Sequence, residues 1–371
     1  MNSRLTEEQR MVQDMVRKFA TNELEPKAQE ADVSQQCPEE NIKKMAELGL
    51  LGMTIPTDYE GTQMDSTSVC IVIEEISKAC ASTASILIAH TALASYPICK
   101  YGDKEQRARY LPGMARGDVL GAFALNETEA GSDIQSIQSV AILQGEDYIL
   151  QGKKSFIMNG ENADLYIVFA RENSDLSCFI VERSAGVLVE KIRYLMGMRA
   201  SGVSEITMSN CRVPRTNRIQ SEGREIARDT LDFAKLLIGA QAVGIAQISL
   251  DNALRYSKER HQFGRPICRF QLVQEMLAEM ATKISAARGL VYHAASQRNS
   301  SHDFSVEAAM AKWFASETAS FAAKTAVQIY GGYGYTMDFP VQRYMRDAKV
   351  TEIYGETSEI QKIAITERLL Q

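Results

Sequence analysis

The sequence predicts an α+β multidomain fold. An N-terminal all-α helical domain covers 1–118, a middle antiparallel β domain 119–222, and a C-terminal four-helix-bundle-like α domain 223–371. Three observations carry this. Apolar residues recur at helical spacing through the first third of the chain. Near Gly121 short stretches rich in β-branched and aromatic residues take over, punctuated by Gly145, Gly152, Gly160, Asn173 and Gly186. From Gly223 the helical period returns and holds to the end. A length of 371 residues gives the same domain count, two or three.

In the first domain Thr6 and Gln9 are spaced as a capping box, Val12, Met15, Val16 and Phe19 follow on one face, and Pro26 closes the helix. A second helix is expected over 39–48, stopped by Gly49. Asp65 and Ser66 open a third, with Val69, Val72, Ile73 and Ile76 on one side. Residues 83–99 are small and apolar nearly all round, which predicts a buried helix that can also line a ligand cavity. His90 lies inside it and reads first as a satisfied core histidine. A short helix over 104–110 precedes Pro112 and Gly113.

Six strands are expected, at 140–143, 148–150, 166–169, 178–181, 187–189 and 206–208, ending at Val213-Pro214. The third domain then offers long helices over 231–258, 270–297 and 305–330. Shorter ones follow over 340–349 and 358–370, the last with Ser358 and Gln361 as a capping box. No linker or repeat separates the domains, so they are expected to pack against one another.

Composition narrows the function classes. Net charge is −6 with no basic block, so nucleic acid is not expected as a partner. The seven cysteines, at 37, 70, 80, 99, 178, 211 and 268, are scattered, odd in number and form no C-x-x-C pair. A reducing compartment is expected, without a disulfide frame or zinc site. The four histidines show no metal-ligand spacing, and no metal is expected. The start, Met1-Asn2-Ser3-Arg4-Leu5-Thr6, lacks the basic and apolar regions of a signal peptide. No apolar run reaches the ~20 residues of a spanning helix. A cytoplasmic location without membrane insertion is expected, the alternative being a processed organelle precursor.

Gly331-Gly332-Tyr333-Gly334 follows a helix and lacks the spacing of a dinucleotide fingerprint. It reads either as a glycine-rich helix exit or as a turn that brings backbone N–H groups close to a phosphate. The most informative stretch is Ile353-Tyr354-Gly355-Glu356-Thr357-Ser358-Glu359-Ile360, just before the last helix.

That stretch resembles the catalytic signature I-Y-E-G-T-S-E-I of the acyl-CoA dehydrogenase family, with the two middle letters exchanged. Leu125-Asn126-Glu127-Thr128-Glu129-Ala130-Gly131-Ser132-Asp133 is similar to that family's first signature. Gln328 to Tyr335, with Asp338, Arg343 and Asp347, is similar to its second. Met198-Arg199-Ala200-Ser201 and Glu259-Arg260-His261-Gln262-Phe263-Gly264 resemble further landmarks, so the likeness spans the chain.

The resemblance implies the family's helix–sheet–helix fold, noncovalent FAD and a homotetramer arranged as a dimer of dimers. It implies an acyl thioester as substrate, carried on CoA or an acyl-carrier protein. An electron-transfer flavoprotein would be the redox partner. Leu125, Asn126, Ser132, Phe156, Met158, Gln328, Gly331, Gly332, Thr357 and Glu359 match cofactor contacts. Arg260 and Phe263 match contacts to a neighbouring copy's FAD. Ser132, Asp232, Lys235 and Tyr354 match the thioester site.

In that family a carboxylate takes the α-proton of the thioester while flavin N5 accepts the β-hydrogen as hydride. Gly355 stands where the catalytic glutamate is expected and cannot serve. The position that carries the base in some relatives is Ala234 here. Glu356 is the nearest carboxylate, and Cα atoms one residue apart are ~3.8 Å apart. For Glu356 to act, the turn must be rotated, which Gly355 permits. The other reading of Glu356 is a charge that favours a helix N-terminus.

Further departures are Asn126 for a Thr, Met158 for a hydroxyl beside flavin N5, Phe156 for a Trp and Lys235 for an Arg. Three functions follow. One is an FAD-dependent dehydrogenation at Cα–Cβ of a short or medium acyl thioester with Glu356 as displaced base. The second is a non-oxidising elimination of the desulfinase kind, or cyclopropane formation, with FAD retained. The third is an inactive thioester-binding paralogue.

Overall fold

The computed structural model describes residues 5–36, 38–300 and 302–370. Cys37 and the first four residues, read above, lie outside the described residues. Seven helices come first: α1 (Glu7–Phe19), α2 (Ala28–Ser34), α3 (Glu39–Glu47), α4 (Ser66–Ala79), α5 (Ala81–Ile88), α6 (Tyr96–Tyr101) and α7 (Lys104–Arg116). The Thr6–Gln9 capping box is formed. Pro26 does not end the first helical run. It sits in the first turn of a short 3-10 helix, where its missing N–H is not needed, and the chain stays helical to Ser34. Pro112 likewise lies inside α7, which stops at Gly117 with φ +79°.

The expected buried helix over 83–99 is α5 and α6 joined by a π-type stretch, Ala89–Ser95. Every residue from Ala81 to Ser95 is buried. His90 donates from Nε2 to the Met114 carbonyl at 3.1 Å, and its Nδ1 accepts the Gly121 N–H at 3.2 Å. That pair of partners fixes the neutral tautomer and ties the helical domain to the first strand.

The middle domain is an eight-stranded sheet: β1 (Gly121–Ala124), β2 (Val140–Gln144), β3 (Asp147–Ile157), β4 (Leu165–Glu172), β5 (Asp175–Glu182), β6 (Val187–Lys191), β7 (Ser204–Pro214) and β8 (Arg218–Ile219). The order is β6-β7-β3-β2-β4-β5-β8, with β1 also on β4. All six expected strands are present, and most pairings are antiparallel. The exceptions are β1 with β4 and the single β2–β4 pairing, both parallel. β1 arrives from α7 and meets β4 only after the β2–β3 hairpin, and such a crossover is what a parallel neighbour requires.

Alternation along β4 divides the interior. Leu165, Ile167 and Phe169 join the helices in one core, while Tyr166, Val168 and Ala170 pack in a second core on the sheet's other face.

The third domain contains α8 (Gly223–Glu259), a small β9–β10 ribbon (His261–Gln262, Arg265–Pro266), α9 (Gln271–Asn299), α10 (Ser305–Tyr330), α11 (Val341–Thr351) and α12 (Ser358–Leu369). α8 is buried without a break from Asp232 to Ala246. Gly244 is where α4 crosses it: a Cβ there would lie 2.5 Å from the Glu74 carbonyl oxygen. By length and composition α8 is also apolar enough to span a bilayer, against the expectation above. Of that apolar stretch, 83% is buried inside the protein.

Burial holds the His90 imidazole neutral, pushing it down to about 4. The folded state therefore binds fewer protons than the unfolded state between that value and about 6.5. Its contribution is complete above pH ~6.5 and is lost as pH falls through 4, a difference of about 3 kcal/mol. Urea midpoints measured at pH 7 and pH 4.5 should fall further for the native chain than for His90→Gln, which keeps a donor and an acceptor but does not titrate. Equal slopes would remove His90 from the acid response.

Candidate active site

One face of α8 turns Leu231, Ala234 and Ile238 into a cavity of about 500 Å³. The i, i+3, i+7 spacing puts all three on one stripe. The opposite wall comes from the sheet domain, with Leu125, Asn126, Ser132, Phe156 and Met158. The floor comes from the stretch after α11, with Tyr354, Gly355, Glu356 and Thr357. Among the described residues, Glu356 is the one carboxylate in the wall.

The turn between α11 and α12 is rotated. Gly355 has φ +63° and Glu356 φ +68°, two consecutive left-handed residues. A non-glycine residue there costs of order 1 kcal/mol, so something must hold it. A Cβ on Gly355 would come within 2.3 Å of Ile238 Cδ1. The space a side chain at 355 would need is thus filled from α8.

The Glu356 carboxylate does not turn toward α12. Its Oε2 pairs with Lys235 Nζ at 2.6 Å, and Lys235 Nζ also reaches Asp232 Oδ1 at 2.8 Å. Burial works against the Lys235 ammonium, but Asp232 and Glu356 together hold it above the ordinary lysine range. Burial raises Asp232, partly offset by Lys235. Glu356 Oε1 carries no hydrogen bond from any described residue, and Glu356 is part of the cavity lining.

The cap of α12 is Thr357, whose Oγ1 accepts the Ile360 N–H at 3.4 Å, and not Ser358 as its spacing suggested. Gln361 does not complete a box. Its Nε2 returns to the carbonyls of Gly355 and Glu356 at 3.4 and 3.3 Å. The left-handed pair displaces the cap by one residue and leaves those carbonyls for Gln361. Tyr354 presents its ring to the cavity, but its hydroxyl donates inward to Gln241 Oε1.

The other sequence-predicted residues divide into two places. Asp232 and Lys235 lie directly behind the wall, reached through Glu356. Arg260, Phe263, Gln328, Gly331 and Gly332 lie outside the cavity lining. Arg260 stacks over the Tyr333 ring at 5.5 Å, Phe263 is 93% exposed, and Gln328, Gly331 and Gly332 are exposed. Glu359 is exposed in the first turn of α12.

Three features escaped the sequence reading. Lys154, fully buried on β3, donates to the Leu125 carbonyl at 3.0 Å and to Glu127 Oε1 at 2.7 Å. Glu127 also accepts the N–H groups of Gln138 and Ser139, so this pair fixes the loop that carries Asn126 and Ser132. Arg346 lines the cavity and joins all three domains. It binds Asp32 with both terminal nitrogens, at 2.9 and 2.6 Å, and donates to the Met196 carbonyl at 3.0 Å. Lys312 on α10 is also fully buried. The one available signal was a lysine on an inward position: Lys154 beside outward Lys153, Lys312 within an alanine-rich helix.

Residues 6–118 match the acyl-CoA dehydrogenase N-terminal domain, 122–211 its middle domain and 221–370 its C-terminal domain. The chain is 42% identical to a short-chain-specific acyl-CoA dehydrogenase of Clostridium acetobutylicum, over 100% of both chains. It is 43% identical to an acryloyl-CoA reductase (NADH) of Anaerotignum propionicum, over 100% of this chain and 96% of that one. Among solved structures, butyryl-CoA dehydrogenase from Megasphaera elsdenii matches with a TM-score of 0.97 at 37% identity, over 100% of both chains.

The turn and α8 form one packing unit. Gly355→Ala should destabilise the protein by about 1–3 kcal/mol, through the left-handed backbone and the clash with Ile238. Adding Ile238→Val, which removes Cδ1, should recover the packing part and leave the backbone part. Denaturation of the two single variants and the double variant gives the coupling. Strict additivity would show that the two sites do not compete for the same space.

Proposed function

The chain belongs to the acyl-CoA dehydrogenase family, and on that premise we propose that it oxidises the Cα–Cβ bond of a short or medium acyl thioester with Glu356 as the base. The carrying observation is that Glu356 is the one carboxylate in the cavity wall among the described residues.

The chain is a flavoenzyme and FAD is its cofactor. The residues present fit that group. Phe156 and Met158 give the lining apolar surface, and Asn126 and Thr357 give it polar groups. A side chain added at Gly331 or Gly332 would meet nothing within 4 Å, so the turn leaves open space beside its backbone, while the Gly331 N–H itself is given to the Gln328 carbonyl. Phe263, exposed in one chain, and half-buried Arg260 would complete the cofactor site of a neighbouring copy in a homotetramer. When bound, FAD supplies the acceptor for the β-hydrogen.

The chain's own residues supply the rest. Apolar walls from Leu231, Ala234 and Ile238 would hold the acyl group and exclude water, and Ser132, also in the lining, would meet the carrier arm. Lys235 holds Oε2, which leaves Oε1 to take the α-proton. Water exclusion by the bound acyl group strengthens the field of that pair and keeps the carboxylate in place. The substrate is a thioester of CoA or an acyl-carrier protein in the cytoplasm, and an electron-transfer flavoprotein takes the electrons.

Met158 favours a second reading. Its thioether stands in the wall where the family has a hydroxyl beside flavin N5. Elimination from a β-substituted thioester still needs a base for the α-proton, but the β-substituent leaves with its bonding electron pair, so no hydride is accepted and no such hydroxyl is needed.

The two readings separate in an anaerobic titration of the yellow holoprotein with saturated acyl-CoAs of four to twelve carbons, followed at about 450 nm. Dehydrogenation predicts bleaching of the native chain and a reduction rate about 10²–10⁴-fold lower in Glu356→Gln. Spectral shifts that report binding, without bleaching, would overturn the oxidative reading for these substrates and turn the assay to elimination products.

A further inference from the structure

Lys312 lies on α10 with its side chain fully buried, among Ala308, Ala309, Ala311 and Ala315. Burying an ammonium is costly unless it is paired. No carboxylate among the described residues comes within salt-bridge distance of Lys312. Its Nζ instead donates to the backbone carbonyl of Glu356 at 2.6 Å. Burial pushes the ammonium down to about 7, against the opposing pull of Glu356, Glu352 and Glu359.

The carbonyl it holds belongs to the second of two consecutive left-handed residues. A glutamate at φ +68° relaxes to negative φ when nothing retains it, and that rotation carries both its carbonyl and its Cβ away. Three side chains resist the rotation. Lys312 from α10 and Gln361 from α12 take the carbonyl, while Lys235 from α8 takes the carboxylate. Gln361 is the weaker donor, at 3.3 Å and shared with Gly355.

We infer that Lys312 is a positioning residue, which fixes the left-handed Glu356 peptide and so aims the Glu356 carboxylate into the acyl cavity. Its consequence for catalysis rests on the reading of Glu356 as the base. Its consequence for the turn does not. Lys312 is not itself part of the cavity lining and reaches it through the Glu356 carbonyl. The arrangement also explains the exchanged letters of the signature. With Gly355 yielding its side-chain space to Ile238, the carboxylate arrives one residue late, and a lysine from a different helix turns it back.

The test uses the FAD-loaded full chain carrying Lys312→Met, which preserves the length of the stem and removes the donor. Amide hydrogen exchange in 353–358 should accelerate about 10-fold or more, with α4 and the sheet unchanged. The rate of anaerobic flavin reduction by butyryl-CoA should fall about 10-fold or more, while FAD content and the butyryl-CoA dissociation constant stay within about 2-fold. Where Lys312→Met does not give folded protein, Lys312→Gln, with an N–H donor on a shorter stem, is read the same way with a smaller acceleration. Unchanged exchange across 353–358 would overturn the inference, whatever the rate does. Faster exchange together with full reduction by Glu356→Gln would support the positioning role and overturn only the assignment of Glu356 as base.

Discussion

A lysine on a buried helix needs a counter-charge, and the active-site end of this protein is arranged around that need. Lys235 sits on a stretch of α8 that is buried without a break from Asp232 to Ala246, and is itself only 5% exposed. Asp232, one turn away, is not enough to define it, since the pair shares one helix and says nothing about the floor of the cavity. Glu356 supplies the second carboxylate from a different part of the fold. Removing one partner of such a buried pair typically costs 3–5 kcal/mol, well above the cost of a single left-handed residue. The ion pair is therefore strong enough to impose an unusual backbone on the closing turn.

The cavity shares this logic. α8, the sheet and the stretch after α11 each contribute one wall, and none closes it alone. Two walls are backed by a buried cation, Lys235 behind the floor and Lys154 behind the loop carrying Asn126 and Ser132, while Arg346 stands in the lining itself where the three domains meet. The apolar lining gives volume and excludes water. The cations behind it fix the positions of backbone and carboxylate, which packing alone specifies loosely.

Much of this was legible in the sequence because it depends on period and spacing. The long C-terminal helices, the six expected strands and the capping box at Thr6 follow from apolar recurrence and local hydrogen bonding. The two prolines misled because their effect depends on position within a helix: Pro26 falls in a first turn, where it is harmless. The parallel β1–β4 pairing is a fact of long-range connection that no local pattern encodes. At the site, Gly355 announced that the turn could rotate, and it has rotated. The partners that hold it came from residues far away in sequence. Ile238, Lys312 and Gln361 look like ordinary helix residues until the helices are brought together. The displaced cap at Thr357 has the same origin, because local spacing alone favoured Ser358.

The three-domain tie at Arg346 has a consequence for how a ligand enters. Its guanidinium is committed on several edges at once: two bonds to Asp32, one to the Met196 carbonyl and one to Gln342. Next to it, the Asp347 carboxylate accepts the Met198 N–H. A hinge motion of the sheet away from either helical domain would break these bonds together, in a region where water cannot replace them cheaply. The exposed large apolar side chains of the lining nearest this tie and across from it are Met196 at 56% and Phe156 at 69% exposure. Were such side chains to admit a ligand, they would do so by rotamer changes, which are far faster than domain opening. Traffic through such an entrance is limited by the width of the ligand and not by the breathing of the fold.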